Sequence, residues 1–281
     1  MAVDQSRLAG KLSDDKSGKQ VMAFQIIRHA FRMVFGNFGQ ALRVSIGPYL
    51  VLIAVFAASI AVVGSLGGLS ATNFDAGSPV PVAPGYTIIL FIILAPTTLF
   101  VLAWVAVAWH RFILLEEYSG MLPRAAGLPI WPYVGRSMLY GLILALAIVP
   151  LGIFVGAAAM PLANGGNPAA FMAVSIGVSA IGSYLWFRMA LALPSVAIGK
   201  PISLSVAWDA SRGHSGAIFG AALLLAALNV GAGVLGSQAY AVSTILGVLV
   251  DIAIQWTILM LGVSILTTFY GHLIEGRDLP N

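Results

Sequence analysis

The stretch GVLVDIAIQWTILML, at residues 247–261, places an aspartate and a glutamine inside an apolar run. The whole run covers about residues 241–269, which exceeds the roughly 20 apolar residues that a helix needs to cross the hydrocarbon core of a bilayer. The run therefore predicts a transmembrane helix, and it places Asp251 where an ionised carboxylate is unfavourable. Because lipid offers no hydrogen-bond partner to such a group, other helices are expected to pack around this one.

The composition extends this prediction to the whole chain. Of its 281 residues, 59% are hydrophobic and only 9% are charged, whereas soluble domains carry about 25% charged residues. Five further apolar runs lie at about 45–68, 87–110, 138–160, 170–195 and 216–236. The sequence therefore predicts an all-α, polytopic transmembrane bundle over residues 45–269, with six spans arranged as three hairpins. The absence of cysteine excludes disulfides and cysteine–metal sites, and no metal or cofactor is predicted.

The basic residues are distributed unevenly over the connecting segments. Three predicted loops hold no Lys or Arg: 69–86, 161–169 and 237–240. All 14 Lys and Arg lie in the N-terminal region, in or near the loops 111–137 and 196–215, or in the C-terminal tail. Cytoplasmic loops are enriched in these residues, so both termini are predicted to be cytoplasmic. Residues 1–20 are expected to form a mobile tail and residues 270–281 a second tail, and no nucleic-acid partner is predicted.

Residues 21–43, ahead of the first span, have the periodicity of an amphipathic helix. Apolar side chains recur at spacings of three and four: Phe24, Ile27, Phe31, Phe35, Phe38 and Leu42. One apolar stripe is typical of a helix that lies in the membrane interface. Arg28, Arg32 and Arg43 fall mostly on the other side, which suits anionic lipid headgroups. The helix is interpreted as an anchor for the first span or, alternatively, as an element that senses lipids or a partner.

Asp251 shares one helical stripe with Gln255 and Gly262, so this stripe should face protein rather than lipid. With the last turn centred near residue 238, Asn229 lies within roughly 5 Å of Asp251 in depth. An amide can donate a hydrogen bond to a carboxyl group in either protonation state. The sequence therefore predicts that Asp251 is hydrogen-bonded to Asn229 or to Gln255.

Two prolines inside the spans, Pro96 and Pro150, each remove a backbone hydrogen bond at a similar depth. Together with Asp251 and Asn229 they predict either a small polar cavity in the outer half of the membrane or a packing layer shaped by helix kinks. Arg188 is expected roughly 15 Å nearer the cytoplasm, too far to neutralise Asp251. Its side chain is predicted to extend to the inner headgroups.

The sequence RGHSG contains a GHSG motif at residues 213–216 that resembles the GxSG motif of rhomboid proteases. The context differs, because the serine starts the fifth span and no histidine lies inside the sixth, with His272 beyond its inner end. A nucleophilic serine needs a base within hydrogen-bond reach. The motif is interpreted as a helix start capped by Ser215, and no catalytic residue is predicted.

Two further stretches carry a resemblance to a protein group: AWHRFILLEE at residues 108–117 and LALPSVAIGKPISLSVAWDASRGHSGAIFG at residues 191–220. Their pattern LP..A.G...S...AW..SRG resembles uncharacterised bacterial inner-membrane proteins with six spans. The resemblance implies a six-span fold in the bacterial inner membrane and implies no reaction.

Two functions remain open at this stage. One is a non-catalytic structural, assembly or envelope-homeostasis factor that contacts a membrane-protein partner or a second copy of itself. The other is a transporter or channel for a small solute or for protons, with Asp251 as its intramembrane site. A cavity that reaches Asp251 favours transport, whereas a fully packed layer favours the structural role. An intramembrane enzyme is the least supported reading.

Overall fold

The computed structural model describes residues 22–68, 84–120, 125–164 and 167–278, and every regular element within these ranges is an α-helix. The helices are α1 (22–36), α2 (Phe38–Ser65), α3 (Pro84–Leu115), α4 (Ile130–Asn164), α5 (Pro168–Ala190), α6 (Leu193–Ala197), α7 (Leu204–Arg212), α8 (Ser215–Val242) and α9 (Thr244–Leu273). Six helical segments are long and apolar enough to cross a membrane, α5 and α6 together forming one of them. The chain is therefore a multi-pass membrane protein, as predicted. The predicted tail 1–20 lies outside the described residues.

The three predicted hairpins are present as packed pairs of consecutive long helices: α2 with α3, α4 with α5, and α8 with α9. In addition, α5 packs against α8, and α3 packs against both α4 and α9. These contacts close α3, α4, α5, α8 and α9 into a ring of five helices. Helix α2 lies outside the ring against α3, and Trp256 of α9 donates a hydrogen bond to the Ser45 hydroxyl of α2 at 2.9 Å.

The first helix ends earlier than predicted. A turn at Asn37, whose side-chain amide donates to the Met33 carbonyl at 2.9 Å, separates α1 from α2. Helix α2 then starts at Phe38, so Arg43 belongs to the first span and not to the entry helix. The hydropathy pattern misplaced this boundary because the polar residues of the first turns of α2 resemble those of a surface helix.

The turn between the last two spans lies at Ser243 and not at residues 237–240. Ser243 has an extended backbone (φ −162°, ψ 151°), and its hydroxyl accepts a hydrogen bond from the Leu246 N–H at 3.1 Å. This is the usual role of serine at a helix N-terminus. Ser237 and Gln238, which predicted a turn by their polarity, continue α8. The five-residue shift changes the relative depths of α8 and α9.

Packing is much tighter at one end of the bundle than at the other. We call the tightly packed end, which contains α1, α6 and α7, the basic end, because the described Lys and Arg residues lie in or near it. Its fully buried side chains include Trp109, Leu191, Leu193, Met260 and Phe269. At the opposite end many large side chains are exposed, among them Phe154 (75%), Val242 (75%) and Ile245 (75%). The basic end is therefore the better packed end, and we call the other part of the bundle, where fewer large side chains are buried, the open half.

Helix α1 packs against the bundle mainly through small and aliphatic side chains. Its buried side chains are Ala23, Ile26, Ile27, Ala30, Met33 and Val34. The contact is close: a Cβ atom added at Gly220 of α8 would lie 2.8 Å from the Ala23 Cβ. Phe24, Phe35 and Phe38 of the predicted stripe are exposed by 45–60%. Small and aliphatic side chains permit this close approach, whereas the phenylalanines form a second apolar face.

Candidate functional site: a cleft in the centre of the helix ring

Two adjoining cavities lie between the helices of the five-helix ring. The lower chamber, nearer the basic end, has a volume of about 330 Å³ and is lined by α3, α4, α5, α8 and α9. The upper chamber, of about 480 Å³, is lined by α4, α5 and α8. Ser183 and Trp186 line both chambers. We call the two chambers together the central cleft.

One face of α5 forms the common wall of the cleft. Its lining side chains follow one another at spacings of three, one, three and one: Ser179, Gly182, Ser183, Trp186 and Phe187. Residues at this spacing lie on one side of an α-helix. The polar members lie toward the opposite end, and Phe187 lies toward the basic end. The polarity of the wall therefore changes along the cleft.

The upper chamber contains hydrogen-bonding groups that the protein itself leaves unsatisfied. Asn229 of α8 lies across from Ser179, Ser183 and Trp186 of α5. In the described part of the chain, none of these four side chains is hydrogen-bonded to another residue. Asn229 is about 21 Å along α8 from the turn at Ser243, which is within a hydrocarbon core of about 30 Å. At that depth an unpaired polar group is unfavourable, so these groups are available to hydrogen-bond a ligand or water.

Neither chamber is lined by a charged side chain among the described residues. The upper chamber offers an amide, hydroxyls and an indole N–H, and the lower chamber is lined mainly by aliphatic side chains. Such a site can hydrogen-bond one end of a molecule and bury the other end against hydrocarbon. A formal charge on the ligand would meet no counter-charge in the lining.

The lower chamber ends at a closed hydrogen-bonded network. Tyr133 lines the chamber, and its hydroxyl lies 3.2 Å from Nε2 of His110. Nδ1 of His110 lies 2.8 Å from Oγ1 of Thr267. Because the Thr267 hydroxyl donates to the Val263 carbonyl at 2.8 Å, it accepts from Nδ1–H of His110. Nε2 is then the acceptor of the Tyr133 hydroxyl. His110 is fully buried and is held as a neutral imidazole in one tautomer.

Tryptophan packing completes the closure at the basic end. Trp109, next to His110 on α3, is fully buried and donates its indole N–H to the Ser264 hydroxyl of α9 at 2.9 Å. These two neighbouring residues therefore bind α3 to both α4 and α9. The cleft is closed beneath Tyr133 by bonded side chains rather than by apolar packing alone.

Of the two predicted partners of Asp251, the structure shows Gln255. The Gln255 amide donates to the Asp251 carboxylate at 3.5 Å, whereas no hydrogen bond joins Asp251 to Asn229 in the described residues. Asn229 lies 14 residues before Ser243 and Asp251 lies 8 residues after it. Their depths therefore differ by about 9 Å. The misplaced turn explains the error.

The predicted stripe on α9 nevertheless points to the cleft. Gly262 of that stripe lines the lower chamber, together with Ile258 and Leu266 on the same helical face. Gln255 and Asp251 continue this face toward the opposite end, beyond the two chambers. Asp251 is half-buried and lies outside the lining of both.

The two prolines do not take part in the cleft. Pro96 and Pro150 are both exposed, and neither lines a chamber, so the predicted polar layer that joins them to Asp251 and Asn229 is wrong. Thr97 donates its hydroxyl to the Ile93 carbonyl at 2.7 Å, next to the carbonyl that Pro96 leaves without its helical partner. The prolines therefore lie outside the cleft lining, and the alternative prediction of a packing layer shaped by helix kinks stays a prediction.

Arg188 is buried and does not extend to the headgroups as predicted. Its guanidinium donates to the Ser211 hydroxyl at 2.9 Å, to the Tyr184 hydroxyl at 3.1 Å and to the Trp208 carbonyl at 3.0 Å. It also lies 3.8 Å from the centroid of the Trp208 ring. The side chain is 7% exposed because α7 covers it. Arg188 therefore holds α7 against α5.

The remaining predicted residues lie at the basic end. Arg32 and Arg43 are exposed and Arg28 is half-buried, so their predicted contact with anionic lipid stays a prediction. Ser215 of the GHSG motif does not cap α8, because its hydroxyl donates to the Arg212 carbonyl at 2.9 Å. Within the described ranges, no three His, Asp or Glu side chains are grouped closely enough to hold a metal ion.

Sequence reasoning missed His110, Tyr133, Ser179 and Ser183. The spacing of Ser179, Ser183 and Trp186 on one helical face was a signal that could have identified the cleft wall. The His110–Tyr133 contact joins residues on different helices, and no local pattern predicts it.

Comparisons with known proteins return no match: no protein-family model, no curated protein and no solved structure is similar to this chain. The resemblance to bacterial six-span inner-membrane proteins stays a prediction.

Proposed function

We propose that this protein binds a small, uncharged amphiphilic molecule in the central cleft and transports it across the membrane. The observation that carries the proposal is the set of unsatisfied polar groups in the upper chamber, directly above an apolar chamber. A polar head would bond to Asn229, Ser179 and Ser183, and an apolar body would occupy the lower chamber. The two volumes are in the range of small-molecule sites, which are about 300–1,000 Å³.

The direction of access follows from the charge distribution. We place the chain in the bacterial inner membrane with both termini in the cytoplasm, since the Lys and Arg residues are confined to one side. The basic end, where the Tyr133–His110 network closes the cleft, is then cytoplasmic. The arrangement corresponds to a transporter that is closed toward the cytoplasm. Delivery to the cytoplasm would require the network to open.

Asp251 has a secondary position in this scheme. It lies on the cleft-facing side of α9 but beyond the upper chamber, with Gln255 between it and the lining. A transporter that couples to protons through Asp251 is a variant of the same function. In that variant Asp251 is essential for transport.

A second candidate function is a non-catalytic structural, assembly or envelope-homeostasis factor. The observation that favours it is a groove of about 490 Å³ between α2 and α9, lined by Phe35 and Phe38 among others. Phe24 extends the exposed aromatic face along α1. A helix of another membrane protein, or of a second copy, would cover this apolar surface.

The absence of native cysteine permits a direct test of the cleft. In Ser183→Cys, the thiol is expected to react with a membrane-permeant alkylating reagent, and 1-decanol should protect it. Decanoate and decylammonium, which carry charges, should protect far less. Phe154→Cys, on an exposed face outside the cleft, is the matched control and should show no protection by any of the three. Removing the amide with Asn229→Leu in the Ser183→Cys background should abolish protection by 1-decanol.

Two results would contradict the proposal. Equal protection by charged and uncharged compounds would remove the argument from the uncharged lining. Equal protection at positions 183 and 154 would show that 1-decanol acts by partitioning into the bilayer, and the structural role would then be the better account.

A further inference from the structure

A second cavity lies outside the ring, between α7 and the pair α4–α5. It has a volume of about 610 Å³, and we call it the α7 groove. Its wall on the bundle side is apolar, with Ile143 and Ala147 from α4 and Leu185 and Met189 from α5. It shares no lining residue with the cleft except Leu144. The groove is therefore a second candidate binding site, separate from the central cleft.

The other wall of the groove is polar and comes from one side of α7. Ser205, Asp209 and Arg212 follow at spacings of four and three and line the groove together with Trp208. Asp209 and Arg212 are exposed by 64% and 71% at their side chains, and their charged groups are 3.2 Å apart. The opposite side of α7 is fixed to the bundle, because Ala207 and Ser211 are buried and Ser211 is bonded to Arg188.

The groove joins an apolar surface to a polar one, as the boundary of a bilayer does. Its wall on α4 and α5 is apolar, whereas its α7 wall carries Asp209 and Arg212. A helix with charged residues on one side suits the headgroup level of a membrane. With α7 at that level, the apolar wall faces acyl chains and the α7 wall faces headgroups.

The charges of the groove favour a phosphate group with a nearby cation. Arg188 stacks on Trp208 behind the groove, and no carboxylate among the described residues neutralises it. Arg212 adds a second positive charge at the rim, and Asp209 adds a negative charge beside it. A phosphate would bond to Arg212, while a primary ammonium group could donate to Asp209. An anionic headgroup without an amine would meet Asp209 unfavourably.

We propose that the α7 groove is a binding site for a phospholipid with a primary-amine headgroup, of the phosphatidylethanolamine type. The phosphate binds Arg212, the ammonium binds Asp209, and one acyl chain lies against Ile143, Ala147 and Leu185. The site is independent of the central cleft. In this proposal α7, which Arg188 fixes in place, selects the lipid headgroup.

The test uses the full chain purified in a mild detergent, with native mass spectrometry to count retained lipids. Phosphatidylethanolamine, phosphatidylcholine and phosphatidylglycerol with identical acyl chains are the probes. The wild type is expected to retain phosphatidylethanolamine about fivefold more than the other two, since an exposed ion pair contributes on the order of 1 kcal/mol. Arg212→Ala should lower retention of all three, and Asp209→Asn should remove the preference for phosphatidylethanolamine.

Two matched controls separate the groove from the rest of the lipid-exposed surface. Lys200→Ala removes another exposed basic side chain of the basic end, one outside the groove, and it should retain lipid as the wild type does. Ala147→Phe fills the apolar wall and should reduce retention, whereas Ala157→Phe, further along α4 and outside the groove, should not. Equal retention of the three lipids by the wild type, or equal behaviour of Arg212→Ala and Lys200→Ala, would overturn the proposal.

Discussion

The basic end and the open half of this bundle differ in how their polar side chains are bonded. At the basic end, His110 and Arg188 are buried, and each is hydrogen-bonded to side chains from a neighbouring helix. In the open half, Asn229 has no partner among the described residues, and Asp251 has one long contact with Gln255. Polar groups of the first kind hold helices together. Those of the second kind contribute little to stability, so their role is to be sought in what binds there.

The largest effect is expected from His110→Ala at the basic end. The substitution leaves the hydroxyls of Tyr133 and Thr267 without their partner and creates a cavity in the tightest part of the core. Loss of a buried ring and of two hydrogen bonds should lower the free energy of unfolding by about 3–5 kcal/mol. Thermal unfolding in detergent, followed by tryptophan fluorescence, measures the loss. An unchanged melting temperature would contradict the structural role of this network.

Arg188→Ala is expected to rank next. It removes three hydrogen bonds and the contact with the Trp208 ring, so α7 should detach from α5. The expected loss is about 2–4 kcal/mol, given that hydrogen bonds to charged groups contribute about 1.5–3 kcal/mol each and are not additive. Hydrogen exchange should show faster exchange of residues 204–212. Arg212→Ala, which removes an exposed arginine of α7, is the control. It should change the free energy of unfolding by less than about 0.5 kcal/mol.

Tyr133→Phe is expected to have a smaller effect, because it keeps the ring and removes only the hydroxyl. Nε2 of His110 would then lack its donor, which should cost about 1–2 kcal/mol. Because Tyr133 lines the lower chamber, the same variant also tests the cleft. Protection of Ser183→Cys by 1-decanol should persist, since the predicted head contacts lie in the upper chamber.

Asn229→Leu sharpens the contrast with the basic end. Replacing an unpaired amide at hydrocarbon depth by an aliphatic side chain should leave stability unchanged or raise it by up to about 1 kcal/mol. Ligand protection at position 183 should be lost in the same variant. A loss of stability comparable to that of Tyr133→Phe would mean that Asn229 has a structural partner, and the upper chamber would then not be a ligand site.

The sequence predicts the architecture of this protein better than its site. Six spans and three hairpins follow from the lengths of the apolar runs, because hydrophobic thickness constrains every membrane helix in the same way. The position of the last turn did not follow, since Ser237 and Gln238 are as polar as Ser243, and helix capping at Ser243 decided between them. That error of five residues placed Asn229 too close in depth to Asp251 and made it one of the two predicted partners.

The helix ring itself could not be predicted from one sequence. Its closure depends on contacts of α3 with α9 and of α5 with α8, between segments that are distant in the chain or joined through the α6–α7 region. Hydropathy reports that a segment crosses the membrane and not which neighbour it meets. The docking face of α1 shows the same limit, because phenylalanines dominate the sequence pattern, whereas Ala23 makes the close contact with Gly220.

The smallest effect is expected from Asp251→Asn. The only hydrogen bond of Asp251 in the described residues is the 3.5 Å contact with Gln255, which is too long to contribute much. An asparagine keeps the shape and an acceptor oxygen, so the free energy of unfolding should change by less than about 0.5 kcal/mol. Protection of Ser183→Cys by 1-decanol should also be unchanged, because Asp251 lies beyond the two chambers. Gln255→Leu is the paired variant and should behave alike. If Asp251→Asn instead abolished protection while the fold stayed intact, the acid would belong to the binding site. Proton coupling through Asp251 would then replace the uncharged-ligand scheme.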